Sequence, residues 1–286
     1  MPQSLPNILE RILARKRIEV AEAKARLPLE DVLRQASAAP PPRDFAAALR
    51  GCADMAVIAE VKKASPSKGI IRADFDPAAI ARAYEAHGAT AVSCLTDETF
   101  FQGSLDIFRS VRAAIDLPML RKEFVIDEYQ IHEARAAGAD AVLLIVSILG
   151  DEELERFRGL IDSHGMAALV EAHSRKDAER AAQAGATLVG VNNRDLASPD
   201  FRTDVRHTEA ILPFLPPNAI RVSESGIRHA ADVDYLRGLG IDAILVGEQL
   251  MRQPDPGSAI DELLGRRPRA SEDGADRKAR NCDEIS

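Results

Sequence analysis

A buried strand that ends in two charges is the first candidate for a catalytic site. The apolar residues Val57, Ile58 and Val61 predict a buried strand, which Glu60 and Lys62 interrupt two residues apart. Because side chains alternate between the two faces of a strand, this carboxylate and this ammonium lie on the same face. The pair is also compatible with an ordinary salt bridge at the end of a strand. A catalytic interpretation therefore depends on whether other strands end in the same way.

Apolar runs of this kind recur along the chain and indicate strands that are buried on both faces, as in a parallel sheet. With the first run, the predicted strands lie near residues 56–61, 90–96, 117–122, 140–146, 167–171, 187–192, 219–224 and 242–246. Alanine- and charge-rich helical segments fill the intervals. Eight βα units predict a single (β/α)8 TIM barrel, an α/β fold. No G-x-G-x-x-G turn follows a strand to favour an open dinucleotide-binding sheet.

The predicted barrel occupies residues 51–265, and the segments on either side of it differ in composition. Residues 1–50 show helical periodicity and a proline break at 40–42, so we predict an N-terminal helical extension packed on the barrel. Residues 266–286 are rich in charge and contain one sizeable aliphatic residue, Ile285. Such a segment buries too little apolar surface to fold, which predicts a disordered C-terminal tail.

Composition limits the partners and the compartment. The 286 residues carry a formal net charge of −8, which argues against nucleic acid as a partner. The three cysteines, Cys52, Cys94 and Cys282, show neither a disulfide framework nor zinc-ligand spacing. The longest apolar run, 141–149, is too short to cross a bilayer, and no secretory leader opens the chain. We therefore expect a soluble cytoplasmic protein with no membrane partner.

Charged and polar side chains follow most of the predicted strands. The C-terminal ends of barrel strands meet at one mouth, where the active sites of such barrels lie. The polar strand ends are Glu60 and Lys62, Asp97 and Glu98, Lys122 and Glu123, Glu171, 192–195, 224–226, and Gly247 with Glu248. Packing alone does not concentrate so many charges at strand ends. The sequence therefore predicts an active site at this mouth.

Two glycines after the seventh and eighth strands indicate what the site binds. Gly226 and Gly247 can present bare backbone amides, and short helices follow them. Either glycine alone is compatible with a simple tight turn. Loops after strands seven and eight are, however, the usual phosphate-binding loops of these barrels, so the pair favours a phosphorylated small-molecule substrate.

At these strand ends the chain resembles the indole-3-glycerol phosphate synthase family of tryptophan biosynthesis. The resemblance covers about residues 5 to 265, and several long motifs occur in the family's order. The family has Lys-Asp-Phe where this chain has Lys122-Glu123-Phe124, which changes a neighbour of the presumed acid but not the acid. The matching segments are 58–69 (IAEVKKASPSKG), 95–104 (LTDETFFQGS), 120–126 (LRKEFVI), 169–172 (LVEA), 190–196 (GVNNRDL), 222–227 (VSESGI) and 245–251 (LVGEQLM).

The resemblance implies a carbon–carbon lyase that converts 1-(2-carboxyphenylamino)-1-deoxyribulose 5-phosphate into indole-3-glycerol phosphate, carbon dioxide and water. By that resemblance Lys122 is the principal general acid and Glu171 the general base, with Glu60 and Lys62 as adjacent helpers. Cations around Lys122 in a partly desolvated mouth would lower the pKa of Lys122. The resemblance implies no cofactor or metal, and the six histidines show no metal-ligand spacing, so we expect them at surface or capping positions.

The resemblance also implies the substrate contacts. The expected contacts to the substrate body are Ser65, Phe101, Asn192, Arg194 and Glu224. The expected phosphate contacts are Ser225, Gly226, Gly247 and the backbone amide of Glu248. Phe100 and Phe101 can supply an apolar wall for an aromatic ring, and a core position for one of them is equally compatible with the sequence.

Two other functions fit parts of the pattern. A phosphoribosyl isomerase-type barrel shares the phosphate loops, but its chemistry has no use for a lysine at the end of the third strand. A non-catalytic barrel that binds a sugar phosphate needs no acid and base, whereas this chain keeps charges at its strand ends. The resemblance is compatible with a monomer, and the sequence leaves the oligomeric state open.

Overall fold

The computed structural model describes residues 8–194 and 202–266. Within these ranges, eight parallel strands form a closed barrel in which each strand pairs with the next and the last pairs with the first. The predicted (β/α)8 TIM barrel is therefore confirmed, and the predicted strand positions agree with the observed ones to within two residues. The strands are β1 (Ala56–Val61), β2 (Ala91–Leu95), β3 (Met119–Lys122), β4 (Ala141–Ile145), β5 (Ala167–Ala172), β6 (Leu188–Asn192), β7 (Ile220–Glu224) and β8 (Ala243–Val246).

Helices precede the barrel and alternate with its strands. Several begin at an aspartate or serine whose side chain accepts a hydrogen bond from a first-turn amide, including Asp76, Ser104 and Ser174. These caps satisfy backbone donors and fix where each helix leaves the mouth of the barrel. The helices are α1 (Ile8–Arg26), α2 (Leu29–Ala38), α3 (Phe45–Arg50), α4 (Pro77–Ala86), α5 (Leu105–Ala114), α6 (Glu128–Ala136), α7 (Asp151–Ser163), α8 (Arg175–Gln183), α9 (Arg206–Ile211), α10 (Ala230–Gly238), α11 (Glu248–Met251) and α12 (Ser258–Leu263).

The alternation of strand side chains separates two cores. Residues such as Val57 and Val92 pack outward against the helices, whereas Ile58 and Leu120 belong to an inner cluster that fills the barrel. The helix α3 contributes Phe45 to the inner cluster and packs against β1, β2 and β7. Because α3 leads directly into the start of β1, it closes the N-terminal end of the barrel. A residue two positions after an inner apolar residue on the same strand also points into the barrel, but it lies nearer the opposite, open end.

The N-terminal extension lies against one side of the barrel. The helix α2 packs on α6, and the hydroxyl of Tyr129 donates hydrogen bonds to the carbonyls of Ala23 (3.2 Å) and Leu27 (2.9 Å). Lys24 forms an ion pair with Asp127 at 2.7 Å. These contacts hold α1 beside the mouth. The predicted disordered tail, 266–286, lies outside the described residues apart from its first one.

A short hairpin that the sequence analysis did not predict follows β1. Ala64–Ser65 pairs antiparallel with Gly69–Ile70, and Gly69 takes a positive φ of 64° that suits glycine. The hairpin places Ser65 beside the mouth of the barrel. None of the helices in the described ranges has the length and apolar character needed to span a membrane.

Candidate active site

A cavity of about 850 Å³ occupies the open end of the barrel. Strand ends, the hairpin after β1 and the helix α1 all contribute to its lining. It brings together every residue that the sequence analysis assigned to catalysis or binding. These are Glu60, Lys62, Ser65, Phe101, Lys122, Glu171, Asn192, Arg194, Glu224, Ser225, Gly226, Gly247 and Glu248.

Lys122 lies at the centre of a buried charge cluster. Its Nζ donates to Glu171 Oε2 and to Glu224 Oε2, both at 2.7 Å. The three side chains come from the ends of β3, β5 and β7, which are alternate strands and therefore contribute to the same inner layer. Gly190 of β6 leaves room for this layer, since a Cβ at that position would lie 2.0 Å from Glu224 Oε1.

The surroundings of Lys122 stabilise its charged form. Burial alone would lower the pKa of Lys122, but the carboxylates of Glu171, Glu224 and Glu60 outweigh burial and raise that pKa above its usual value. The expectation of a lowered pKa is therefore wrong, because the neighbours of Lys122 are carboxylates and not cations. Lys122 is a protonated ammonium at neutral pH and can donate a proton or a hydrogen bond.

The two carboxyls beside Lys122 differ in protonation. Burial would raise the pKa of Glu171, but Lys122 and then His173 lower it below its usual range. Burial raises the pKa of Glu224 to about 8, with Lys122 opposing this shift and the charge of Glu171 adding to it. The two pKa shifts have opposite directions, so Glu224 takes up a proton more readily than Glu171 does.

Glu60 and Lys62 form an ion pair at the end of β1, as their spacing indicated. Glu60 is buried, and the backbone of Gly247 passes close to the pair. A Cβ on Gly247 would lie 2.3 Å from Glu60 Oε1 and 3.0 Å from Lys62 Nζ. The absence of a side chain at Gly247 therefore lets the turn after β8 approach this ion pair.

The turns after β7 and β8 both line the mouth, and the turn after β7 has an unusual backbone conformation. Ser225 and Gly226 take φ values of 68° and 79°, and the side-chain amide of Asn193 donates to the carbonyl of Ser225 at 3.1 Å. A non-glycine residue with positive φ is uncommon and is found mostly in functional or over-determined turns. At the next turn Gly247 precedes α11. Residues of both turns line the cavity from adjacent strands, and turns of this kind are typical of anion sites.

Polar and aromatic side chains complete the walls. Arg194 Nη2 lies 4.0 Å from Glu248 Oε2, and Glu248 Oε1 pairs with Arg252 Nε at 3.1 Å at the end of the same helix, α11. The rings of Phe101 and Phe124 are tilted, with centroids 6.1 Å apart. Of the two phenylalanines considered for the wall, Phe101 lines the cavity and Phe100 does not.

Several residues that line the cavity were not assigned by sequence reasoning. His173, expected at a surface or capping position, lies on the cavity wall with Nε2 3.4 Å from Glu171 Oε1. Its position two residues after Glu171, just past the end of β5, was the available signal. Lys68, at the hairpin, and Ile12, on α1, also line the cavity, and no motif had connected α1 to the site.

Comparison with models of known protein families shows the family to which the chain belongs. The model described as indole-3-glycerol phosphate synthase matches residues 9–263. The chain belongs to that family. Its relatives include proteins named indole-3-glycerol phosphate synthase from Roseiflexus sp. (strain RS-1), 51% identical over 91% of this chain and 99% of that protein, and from Polaromonas sp. (strain JS666 / ATCC BAA-500), 47% identical over 91% and 99%.

More distant solved structures share only the barrel with this indole-3-glycerol phosphate synthase family member. A 3-hexulose-6-phosphate synthase superposes with a TM-score of 0.57 at 16% identity, covering 74% of this chain and 99% of that one. A thiamine phosphate pyrophosphorylase from Pyrococcus furiosus superposes with a TM-score of 0.55 at 18% identity, covering 74% and 94%. At these identities the likeness concerns the fold and not the reaction.

Proposed function

We propose that this chain is a carboxy-lyase of tryptophan biosynthesis that converts 1-(2-carboxyphenylamino)-1-deoxyribulose 5-phosphate into indole-3-glycerol phosphate, carbon dioxide and water. The observation that carries this proposal is the cluster of Lys122, Glu171 and Glu224, which faces the glycine turns after β7 and β8 across one cavity. A proton donor, an ionised base and a phosphate site at three points of one mouth suit a reaction that needs all three.

Lys122 acts first in the proposed mechanism. The ring carbon that carries the carboxylate attacks C2 of the ribulose chain, and the electron pair of the carbonyl bond moves to its oxygen. Lys122, which is held protonated by its carboxylate neighbours, donates a proton to that oxygen. Loss of carbon dioxide then returns the electron pair of the broken bond to the ring. The new carbon–carbon bond and a hydroxyl at the former C2 remain.

Dehydration is the second part of the mechanism. Glu171 is ionised at neutral pH and is therefore suited to removing the proton whose loss forms the indole double bond. Lys122 regains a proton from solvent after the first step and donates it to the hydroxyl, which leaves as water, with the Glu60–Lys62 ion pair as an adjacent helper. Glu224 keeps the Lys122 ammonium oriented in both steps through its 2.7 Å hydrogen bond.

The binding roles follow the positions of the side chains around the mouth. The turns of Ser225 and Gly226 and of Gly247 and Glu248 hold the phosphate through backbone amides. Asn192 and Arg194 contact the anthranilate ring and its carboxylate, and Ser65 anchors the substrate from the hairpin. The ring of Phe101 covers the anthranilate ring, because an apolar wall suits an aromatic substrate.

One chain supplies every proposed catalytic and binding residue, so a monomer is sufficient for the reaction. We also propose that the protein acts in the cytoplasm. Cysteine usage without a disulfide pattern supports a reducing compartment, and the net charge of −8 gives no attraction for nucleic acid.

A product assay tests the proposal. The purified protein is mixed with the anthranilate substrate, and the fluorescence of the indole product and the release of carbon dioxide are followed together. The synthase gives both signals in equal amounts. Ketose-to-aldose isomerisation of this substrate without decarboxylation would favour the phosphoribosyl isomerase alternative, and binding without turnover would favour a non-catalytic barrel. The family match favours neither alternative.

A further inference from the structure

Lys16 lies outside the proposed catalytic cluster but is buried among carboxylates. It belongs to the extension helix α1 and is 4% exposed. Its Nζ lies 2.7 Å from Glu19 Oε2, 3.0 Å from Asp97 Oδ2 and 2.9 Å from Glu123 Oε1. Asp97 and Glu123 belong to the loops after β2 and β3, so one ammonium joins the extension to two loops of the mouth.

Both barrel carboxylates also hold backbone amides of phenylalanines. Asp97 Oδ1 accepts hydrogen bonds from the amides of Phe100 (2.7 Å) and Phe101 (3.2 Å). Glu123 Oε1 accepts from the amide of Phe124 at 2.8 Å. The loops that carry the two cavity-lining rings are therefore fixed by the same carboxylates that contact Lys16.

Helix α1 also contributes directly to the cavity. Ile8, Leu9 and Ile12 line it, and Lys16 follows Ile12 by one helical turn on the same side. The ammonium of Lys16 is thus the point at which α1, the Phe101 loop and the Phe124 loop meet. A displacement of Lys16 would move apolar side chains on three sides of the cavity together.

We propose that Lys16 is a positioning residue that fixes the aromatic wall formed by Phe101 and Phe124, and the apolar side of α1, against the aromatic half of the substrate. This inference rests on the proposed function, because the wall acts on an aromatic ring. Lys16 touches neither the reacting atoms nor the phosphate turns. It acts through Asp97 and Glu123.

The charge balance explains why a lysine is needed at this position. Asp97 is 0% exposed and Glu123 is 4% exposed, so each requires a buried cation or several hydrogen bonds. Arg121 pairs mainly with Glu133, because its Nη2 lies 2.8 Å from Glu133 Oε2 but 3.9 Å from Glu123 Oε2. Burial opposes the charge of Lys16, yet Glu123 and Asp97 outweigh burial and raise the pKa of Lys16 above its usual value.

The variant Lys16→Met tests the proposal because it keeps the aliphatic stem and removes the ammonium. We expect the KM for the substrate to rise about tenfold while kcat stays within about threefold, the size and pattern of a lost aromatic contact that binds ground and transition states alike. Lys24→Met is the matched control. Lys24 also joins α1 to the barrel through an ion pair, with Asp127 at 2.7 Å, but it does not line the cavity.

The response of Tm to inorganic phosphate separates loss of the aromatic wall from a general distortion of the active site. Inorganic phosphate is expected to raise the Tm of Lys16→Met as much as that of the parent, because the phosphate turns lie after β7 and β8. If Lys16→Met does not fold, Asp97→Asn keeps an oxygen for the Phe100 and Phe101 amides and removes the charge that Lys16 contacts. We expect that variant to raise KM about threefold, a smaller loss of the same kind.

A parental KM in Lys16→Met, or in Asp97→Asn where that variant is used, would overturn the role of Lys16. An equal rise in KM in Lys24→Met would overturn it as well. So would a rise in KM that comes with loss of the phosphate response. Substrate affinity is measured in parallel by thermal shift. Failure of the parent to release indole would refute the proposed function alone, whereas the affinity comparison would still decide the role of Lys16.

Discussion

A single proton distinguishes the two carboxyls of the catalytic cluster. Glu171 and Glu224 both lie 2.7 Å from the Lys122 ammonium, yet the pKa of Glu171 is lowered and that of Glu224 is raised. One ammonium cannot neutralise two buried carboxylates, so the less favoured carboxyl keeps its proton. The cluster thereby combines a cationic acid, Lys122, with two carboxyls of different proton affinity, which is an arrangement suited to proton transfer.

Replacing Lys122 with methionine should lower kcat by about two to four orders of magnitude, the usual size of a lost general acid. The Tm should also fall, because the carboxyls of Glu171 and Glu224 lose their common cation. Steady-state kinetics and a thermal melt of Lys122→Met measure both effects. The exposed Lys176→Met serves as a control for loss of one positive charge. Near-parental turnover in Lys122→Met would show that another group is the acid.

Replacing Glu171 with glutamine separates the two halves of the reaction. The amide keeps the shape and a hydrogen bond to Lys122 but cannot take a proton, so dehydration should slow while ring closure and decarboxylation continue. In a single turnover, carbon dioxide should appear before indole, and an intermediate should accumulate. If Glu171→Gln delays both signals equally, Glu171 is not the base of dehydration alone.

Glu224 should make stability depend on pH. Its pKa rises from 4.5 to about 8 on folding, so the folded protein binds this proton more tightly than the unfolded chain. The resulting stabilisation is complete below pH 4.5 and is lost as pH rises toward and through 8. Relative to Glu224→Gln, which cannot lose a proton, the parent Tm should fall by at least about 3 °C between pH 5 and pH 9. A constant difference across this range would contradict the raised pKa of Glu224.

At the scale of elements, strand ends and turns differ in how far the sequence predicts them. Continuous apolar runs predicted all eight strands, because a strand that is buried on both faces consists mainly of apolar residues. Polar residues after the apolar runs marked the strand ends, and Glu60 and Lys122 lie at the ends of β1 and β3 as predicted. The hairpin of Ala64–Ser65 with Gly69–Ile70 was missed, since two-residue strands leave no periodicity to detect.

Contacts between elements were beyond sequence reasoning. The pKa of Lys122 depends on Glu171 and Glu224, which are 49 and 102 residues away in the chain. The sequence does not show which side chains contact Lys122, so it could not show that these contacts are carboxylates. The contribution of α1 to the cavity was missed for the same reason, because an amphipathic helix does not reveal which surface it covers.

The turn after β7 gives a prediction about elements. Gly226 has a φ of 79°, and a Cβ there would lie 2.9 Å from the Cβ of Thr203. Gly226→Ala should therefore lose about 1–2 kcal/mol of stability and its response to inorganic phosphate. Gly240→Ala is the control, since Gly240 has a φ of 78°, a Cβ there would make only an ordinary 3.8 Å contact with Arg221 Nη1, and Gly240 precedes β8, at the end of the barrel opposite the mouth.

Thermal melts with and without phosphate compare the two glycine variants. Both should be less stable than the parent, because both put an alanine in the left-handed region. Phosphate should raise the Tm of Gly240→Ala and leave that of Gly226→Ala nearly unchanged. Equal stabilisation of both would place the anion site away from the turn after β7.

At the scale of the whole molecule, the two ends of the barrel have different tasks. Helix α3 fills the N-terminal end with Phe45 and Leu49, which join the inner apolar cluster. The C-terminal end carries the charged cluster and the cavity, and α1 covers part of it. Stability and chemistry are therefore concentrated at opposite ends, and the extension reaches both of them: α3 at the closed end and α1 at the open end.

This arrangement predicts that truncation at the N-terminus lowers stability and activity, whereas truncation at the C-terminus changes neither. A chain that begins at residue 44 keeps α3 but lacks α1 and α2, so it exposes the face of α6 that α2 covers and loses the part of the cavity wall formed by α1. We expect its Tm to fall by several degrees and its kcat/KM to fall by at least about tenfold, because part of the apolar cavity wall is lost. A chain that ends at residue 266 keeps α12 and the Arg266–Asp54 contact of 3.6 Å.

The C-terminal truncation removes a segment whose composition offers too little apolar surface to repay its ordering entropy. Its Tm should stay within about 2 °C of the parent, and its kcat/KM should stay parental. The two truncations are compared by thermal melts and by the indole assay at the same protein concentration. Because α1 contributes side chains to the cavity, an N-terminal truncation with parental kcat/KM would show that the barrel alone forms the complete site. That result would contradict the contribution of α1 to substrate binding, and with it the proposed role of Lys16.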